Sequence, residues 1–417
     1  MHKIYTLDNS LRVVFENIPY VKSVTLGVWV GAGSVDENAK NNGVAHFIEH
    51  MLFKGTKSHT AKQLAECIDD IGGQLNAFTG RECTCYYSKT LGTHLGLSIN
   101  LLADMLFNSR FDEKDIKVEK DVILEEINMY EDSPEELVHD AIMSSVWNGD
   151  KLGQQILGSK EVLLAMKKDD ILRFMSERYT PQNSVISVVG NFDEDELLEK
   201  INCAFGSWAG KSDVRVKKNP GFTPGMTVIR KDIEQAHVCV GFEGVPRAQD
   251  RLYDILVMNN IFGSGMSSRL FQRIREEKGL AYSVYSFNTA YNNAGMFGIY
   301  AGMKPSKLNE VVDMIKEETA KLVRERLSEK EIAKSKEQIK SSFILGLEST
   351  SSRMNAYGKA LLLQNKIRTM DDMIEKLDAV NSDSVDCIID EIFNRPPAVA
   401  LVGDVDGAGL ADGWFFK

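Results

Sequence analysis

The chain carries two copies of one pattern, and this limits its fold more than any other feature. Gly27 in Thr25-Leu26-Gly27 answers to Gly241 in Val240-Gly241-Phe242 at an offset of 214. Glu113-Lys114-Asp115-Ile116 answers to Glu329-Lys330-Glu331-Ile332 at 216, and Val188-Val189-Gly190-Asn191-Phe192-Asp193 to Leu401-Val402-Gly403-Asp404-Val405-Asp406 at 213. Matches at nearly one offset, spread over both halves, indicate a duplicated domain. A chain of 417 residues with 43% hydrophobic content is in any case too long for one ordinary core. The copies fall at residues 1–210 and 226–417. Residues 211–225 join them, a basic strand-like piece followed by Asn219-Pro220-Gly221-Phe222-Thr223-Pro224-Gly225.

Within the first copy, Val13-Val14-Phe15 and the run from Val24 to Val30 read as two adjacent strands, and residues 74–79 and 83–88 are again strand-like. Helices are predicted over 61–71, 91–108, 112–129, 134–147, 169–179 and 193–205, with 184–190 a continuously apolar, buried strand. The fold class that follows is α+β, two tandem homologous domains, each a mostly antiparallel sheet packed with helices.

One helix-forming run, Asn42 to Thr56, holds the chemistry. His46 and His50 are i and i+4, so both imidazoles leave one face a turn apart, as two ligands of one metal must. Glu49 can reach a water at that metal without being a ligand. The order is H-x-x-E-H, the zinc-peptidase signature inverted. Catalytic zinc takes three protein ligands, and the helical stretch from Val118 to Tyr130 offers Glu119, Glu125 and Glu126. Glu119 and Glu126 lie two turns apart on one face, yet spacing alone leaves Glu125 and Glu126 both open as the ligand. The second copy lacks these groups. At an offset of 214, His46, Glu49 and His50 fall on Asn260, Gly263 and Ser264; at 216, Glu119 and Glu126 fall on Ser335 and Ser342. Histidines needed only for packing would be expected twice.

The chain resembles the pitrilysin family, the inverzincins that include insulinase and the mitochondrial processing peptidase, and the resemblance covers essentially its whole length. It implies a processing-peptidase-like half-clam with one Zn²⁺ held by His46, His50 and Glu126, 76 residues beyond the second histidine. It further implies Glu49 as proton carrier and Glu119 as a supporting or catalytic carboxylate. Arg275 and Tyr282, seven residues apart, would bind the substrate carbonyl across a chamber formed by a homodimer. An extended peptide would add to an edge strand at Asn76 and Ala77. Glu136 and Asp140, ten and fourteen positions past Glu126, would bind a substrate arginine. As stacked i, i+4 carboxylates they repel each other unless a cation joins them.

The formal net charge of −11 argues against nucleic acid and suits cationic peptides. No apolar run reaches membrane-spanning length, and the start of the chain lacks the marks of a secretory or transit peptide, so a cytoplasmic protein with no membrane partner is expected. Six scattered cysteines read as free thiols, with Cys83 and Cys85 buried on a strand. The aromatic tail at 413–417 is expected to dock on the second domain. Two other readings compete with a peptidase. A non-catalytic subunit predicts decayed ligands, and a peptide-binding adaptor predicts indifference to chelators.

Overall fold

The structure is a computed structural model that describes residues 2–212, 219–407, 409–410 and 412–414. The basic piece of the linker and the tail beyond Trp414 lie outside the described residues. In chain order the elements are β1 Lys3–Thr6, β2 Arg12–Asn17, β3 Ser23–Val30, α1 Val44–Leu52, α2 Ala61–Asp69, β4 Gln74–Thr79, β5 Thr84–Leu91, α3 Leu95–Asn108, α4 Glu113–Glu131, α5 Pro134–Val146, α6 Lys160–Ala165, α7 Lys168–Arg178, β6 Ser184–Gly190 and α8 Glu194–Phe205. They continue as β7 Gly225–Arg230, β8 Ala236–Gly244, α9 Leu252–Phe262, β9 Ala281–Ala290, β10 Gly295–Met303, α10 Leu308–Glu325, α11 Glu329–Gly346, α12 Thr350–Gln364, α13 Met370–Ala379, α14 Ser382–Phe393 and β11 Ala398–Gly403.

Two sheets follow one plan. The first runs β1-β2-β6-β3-β5-β4 and the second β7-β11-β8-β10-β9. Each has a single parallel pair, β2 with β6 and β7 with β11, and is antiparallel elsewhere. Strands β2 and β3 are therefore not neighbours, as their closeness in sequence suggested. β6 lies between them, because apolar patterning marks a strand without choosing its partner.

Alternation along the first sheet feeds two cores. Leu26, Val28, Ile186 and Val188 face a core shared with α1, α3 and α7, while Trp29, Cys85 and Val185 pack with Met354 and Leu361 of α12. Helix α12 comes from the second half of the sequence. The compact units are Met1–Ile127 with Gln154–Val216 and Leu345–Ile367, and Asn128–Gly153 with Lys217–Ile344 and Arg368–Lys417. The contiguous division at 210 and 226 thus describes the repeat, whereas each packing unit takes one helix from the other copy: α12 joins the first and α5 the second.

That exchange accounts for the first glycine match. A Cβ at Gly27 would overlap Met354 Sδ of α12, and one at Gly241 would come 3.2 Å from Ile142 Cγ1 of α5. At Gly241 the nearer obstacle is Met296 Sδ of the neighbouring strand β10, at 2.8 Å, so the exchanged helix is one of two groups crowding that position. Gly190 and Gly403 match for another reason, sharing φ of 145° and 147°, a region that glycine alone enters without strain. A further pair was not found from sequence: Lys120 Nζ binds the carbonyls of Leu164 and Met166 after α6, and Lys336 Nζ those of Asp378 and Val380 after α13.

In the second unit, a polar cluster holds α5 to the sheet. Tyr285 donates to Glu135 Oε1 at 2.8 Å and meets His139 Nε2 at 2.9 Å; His237 Nδ1 meets the Tyr300 hydroxyl at 2.8 Å. Burial lowers both histidines below their ordinary value, against the opposing pull of Glu135. For a histidine depressed in the folded state, the unfolded chain binds the proton more readily, so stability falls as pH drops below about 6.5. The denaturant midpoint is expected to fall between pH 7.5 and 5.5, and His237→Gln to flatten that slope. An unchanged slope would assign the acid response to other groups.

All six cysteines are free, with Cys83, Cys85 and Cys239 buried. Trp414 docks in the second unit, 1% exposed, edge-on to Phe242 at 5.8 Å. Among the described residues, no helix is long and apolar enough to cross a membrane.

Candidate metal centre

Helix α1 is rotated by its apolar side chains. Val44, Phe47, Ile48, Met51 and Leu52 are at most 1% exposed, each stabilising the packed helix by about 1.5–3 kcal/mol. This leaves His46, Glu49 and His50 together on the remaining stripe. Helix α4 is set likewise: Ile116, Ile123 and Ile127 are buried, and Glu119 falls in the same stripe. Glu126 projects beside it, half-buried, and Glu125 points to solvent. Of the two glutamates that spacing left open, Glu126 is the one that converges on the histidines.

His46 Nε2 lies 3.7 Å and His50 Nε2 3.5 Å from Glu126 Oε2, and donor atoms of the three residues all lie within 4.8 Å of one another. A tetrahedron with bonds of about 2.0–2.1 Å has edges of about 3.3 Å, so two imidazoles and a carboxylate at this spacing fit zinc with little adjustment. The second nitrogen of His50, Nδ1, is 3.0 Å from Glu119 Oε2, and Lys54 pairs with the other oxygen of Glu119. Glu119 is only 1% exposed and touches His50 at Nδ1, the nitrogen not turned toward Glu126, so its bond orients that ring. The His46 ring is held instead by packing, with Nδ1 buried and unpartnered among the described residues.

The charges divide unevenly. Burial and the neighbouring His50 hold His46 down at about 4, so it stays neutral. Burial also disfavours a charged His50, but hydrogen bonds to Glu119 and Glu126 outweigh it and raise His50 to about 9. Glu126 is lowered chiefly by its hydrogen bond with His50. Glu49 is raised by burial, while Thr79 opposes the shift by donating its hydroxyl to Glu49 Oε2 at 2.5 Å. That contact engages Oε2, while Oε1 accepts no hydrogen bond among the described residues. Lys54 and Thr79 were missed from sequence. Thr79 carried a weak signal, standing on the inward side of the alternation with Leu75 and Ala77.

Asn76 and Ala77 lie on β4, the terminal strand of its sheet. The Ala77 N–H donates to Asn76 Oδ1 at 2.8 Å, so this edge amide is covered by its own neighbour. Beside the strand is a cavity of about 570 Å³ lined by Phe53, Leu64, Ile68, Leu75 and Asn76 among others.

The remaining candidates belong to the second unit. The Arg275 guanidinium stacks over Phe271 at 4.8 Å and Tyr282 at 5.6 Å, and Tyr282 is 77% exposed. Arg275 lies in the last part of a π-helical turn, Phe271–Glu276, a geometry frequent at functional sites. Glu136 is exposed and Asp140 half-buried on α5. The structure brings His46, His50 and Glu126, the candidate metal ligands, together with Glu49 and Glu119, and places Glu136 and Asp140 on α5 in the other unit.

The second unit keeps the framework of the centre without its ligands. Ser286 of β9 donates to Asn259 Oδ1 at 2.7 Å, as Thr79 of β4 does to Glu49. Asn260 donates to Ser335 Oγ at 3.1 Å, in the place of the contact between His50 and Glu119. These bonds align Glu49 with Asn259 and His50 with Asn260, an offset of 210 in place of 214, which puts Leu256 opposite His46.

Paired α+β units, one bearing an H-x-x-E-H helix and a converging glutamate, define the class of inverted-motif zinc peptidases. Residues 12–160 match the family described as Insulinase (Peptidase family M16), and residues 165–339 match the Peptidase M16 inactive domain. The uncharacterized zinc protease YmxG of Bacillus subtilis is 44% identical over 402 residues, covering 96% of this chain and 98% of that one. An uncharacterized zinc protease of Streptomyces coelicolor is 37% identical over 406 residues, covering 95% and 88%. A crystal structure of a protease from Helicobacter pylori shares the fold with a TM-score of 0.89 at 23% identity, over 97% of this chain and 99% of that one. The chain belongs to the M16, or pitrilysin, family of zinc peptidases.

Proposed function

We propose that the protein is a zinc-dependent endopeptidase that cuts extended peptides. The observation that carries this reading is the convergence of His46, His50 and Glu126 with Glu49 alongside. One zinc per chain, held by those three residues, would supply Lewis acidity toward a water molecule and a peptide carbonyl. Glu49 takes the proton of the attacking water at Oε1 and passes it to the nitrogen of the leaving amine. Glu119 holds His50 by Nδ1, which leaves Nε2 turned toward Glu126 Oε2, 3.5 Å away, as a ligand would need. The substrate lies along β4, where its backbone displaces the Asn76 side chain from the Ala77 N–H and pairs as an added strand.

Two finer points belong to the same proposal. Arg275 and Tyr282 of a second identical chain bind the substrate carbonyl in a closed chamber; the exposed, stacked pair at the end of a π-helical turn supports this. Glu136 and Asp140 receive a substrate arginine. A basic, unstructured peptide incubated with purified protein should be cut, a chelator should stop cleavage, and added zinc should restore it. A peptide with Arg before the cut should react faster than its Ala counterpart. Failure of the zinc-replete protein to cut would contradict the peptidase reading, and equal rates on the two peptides would remove the arginine preference alone.

A further inference from the structure

The ligand helix begins without a cap of its own. Gly43 stands at the N-cap of α1 with φ of 93° and has no side chain to receive the first amides. A helix start leaves such N–H groups without intrahelical partners, and here they are buried. Glu37, six residues upstream and fully buried, takes them over. Its Oε2 accepts from the Gly43 N–H and from Asn42 Nδ2, and its Oε1 from the Ala45 N–H, each at 2.8 Å. Burial pushes the Glu37 carboxyl up to about 7, and the three donors and the positive end of the helix pull the other way, toward its charged form. The segment before it is anchored: Val35 N–H donates to the Arg81 carbonyl at 3.0 Å, and Asp36 accepts from the Gly33 N–H at 3.1 Å.

His46 is the third residue of α1, in the turn that these bonds hold closed. It has no hydrogen bond at Nδ1 to fix its ring, so its position follows the backbone of that turn. The geometry points to Glu37 as a positioning residue for the metal centre, a remote cap that holds the first turn of the ligand helix and thereby His46. This rests on the metal-site reading. Metal ligands must be held within about 0.5 Å of their working geometry, and loss of supporting partners around ligands costs on the order of 10–100-fold in affinity. Glu37→Gln keeps the shape but turns one acceptor oxygen into a donor facing N–H groups.

The test compares zinc affinity, by competition with a chromophoric chelator, in wild type, Glu37→Gln and Asp193→Ala. Asp193 caps α8 through the Glu196 N–H at 2.9 Å, so its loss is a cap removal away from the centre. Glu37→Gln should weaken zinc binding about tenfold or more and shift the visible bands of the Co²⁺-loaded protein; Asp193→Ala should change affinity less than about twofold. Wild-type affinity in Glu37→Gln, or an equal loss in Asp193→Ala, would overturn the proposal. In metal-free wild type, the Gly43 and Ala45 amides should resist hydrogen exchange as strongly as those of Phe47 and Ile48. Rapid exchange at those two positions would overturn it even if the variant does not fold. A wild type that binds no zinc would instead overturn the metal-site reading.

Discussion

Glu49→Gln should lower kcat/KM on a peptide substrate by about 10²–10⁴-fold, or about 3–5 kcal/mol of transition-state stabilisation, while zinc content and fold stay unchanged. The substitution is nearly isosteric, and the new carboxamide oxygen can still accept the Thr79 hydroxyl. Nothing in the packing of α1 is disturbed. What disappears is a carboxylate oxygen that can take a proton, and among the described residues the other acidic side chains beside the two histidines are their own partners, Glu119 and Glu126. Full activity in the variant would show that the proton is carried elsewhere. A loss accompanied by missing zinc would make Glu49 a contributor to metal binding.

Glu119→Gln should act in the opposite sense, weakening zinc binding by about 10–100-fold. Glu119 is a buried carboxylate with a donor on each oxygen, His50 Nδ1 on one and the Lys54 ammonium on the other. Burial works against its charge, and these contacts more than offset it, keeping its carboxyl below the usual range. A carboxamide cannot serve both as an acceptor of equal strength, so the His50 ring loses its orientation and Lys54 its counter-charge. Competition with a chelator measures this directly. Unaltered affinity would mean that packing alone fixes His50. Together the two variants separate proton transfer from metal retention, roles that sequence spacing assigned to the same acidic set.

The two His positions and Glu49 were legible because helical spacing constrains what one face can hold, whereas Glu126 was singled out from Glu125 only by the resemblance to the pitrilysin family. Glu119 was marked by its shared face with Glu126 and by the family resemblance, and the structure adds that it interrupts the buried stripe of Ile116, Ile123 and Ile127. The duplication was legible through Gly27 and Gly190, residues that backbone geometry or close approach demands in both copies. Contacts distant in sequence were not. The insertion of β6 between β2 and β3, the exchange of α5 and α12 and the Lys54 partner of Glu119 depend on tertiary packing that no local period encodes. The same limit explains the misplaced offset at α9: the turn lengths before α1 and α9 differ, and only the hydrogen bonds of Asn259 and Asn260 reveal the true alignment.

Anomalous diffraction from crystals of zinc-replete protein, recorded on both sides of the zinc edge, tests the central claim most directly. One peak per chain, bonded to His46 Nε2, His50 Nε2 and a Glu126 oxygen, is the expected result. A fully zinc-treated chain with no peak between those residues, or with its zinc bound elsewhere, would contradict the account.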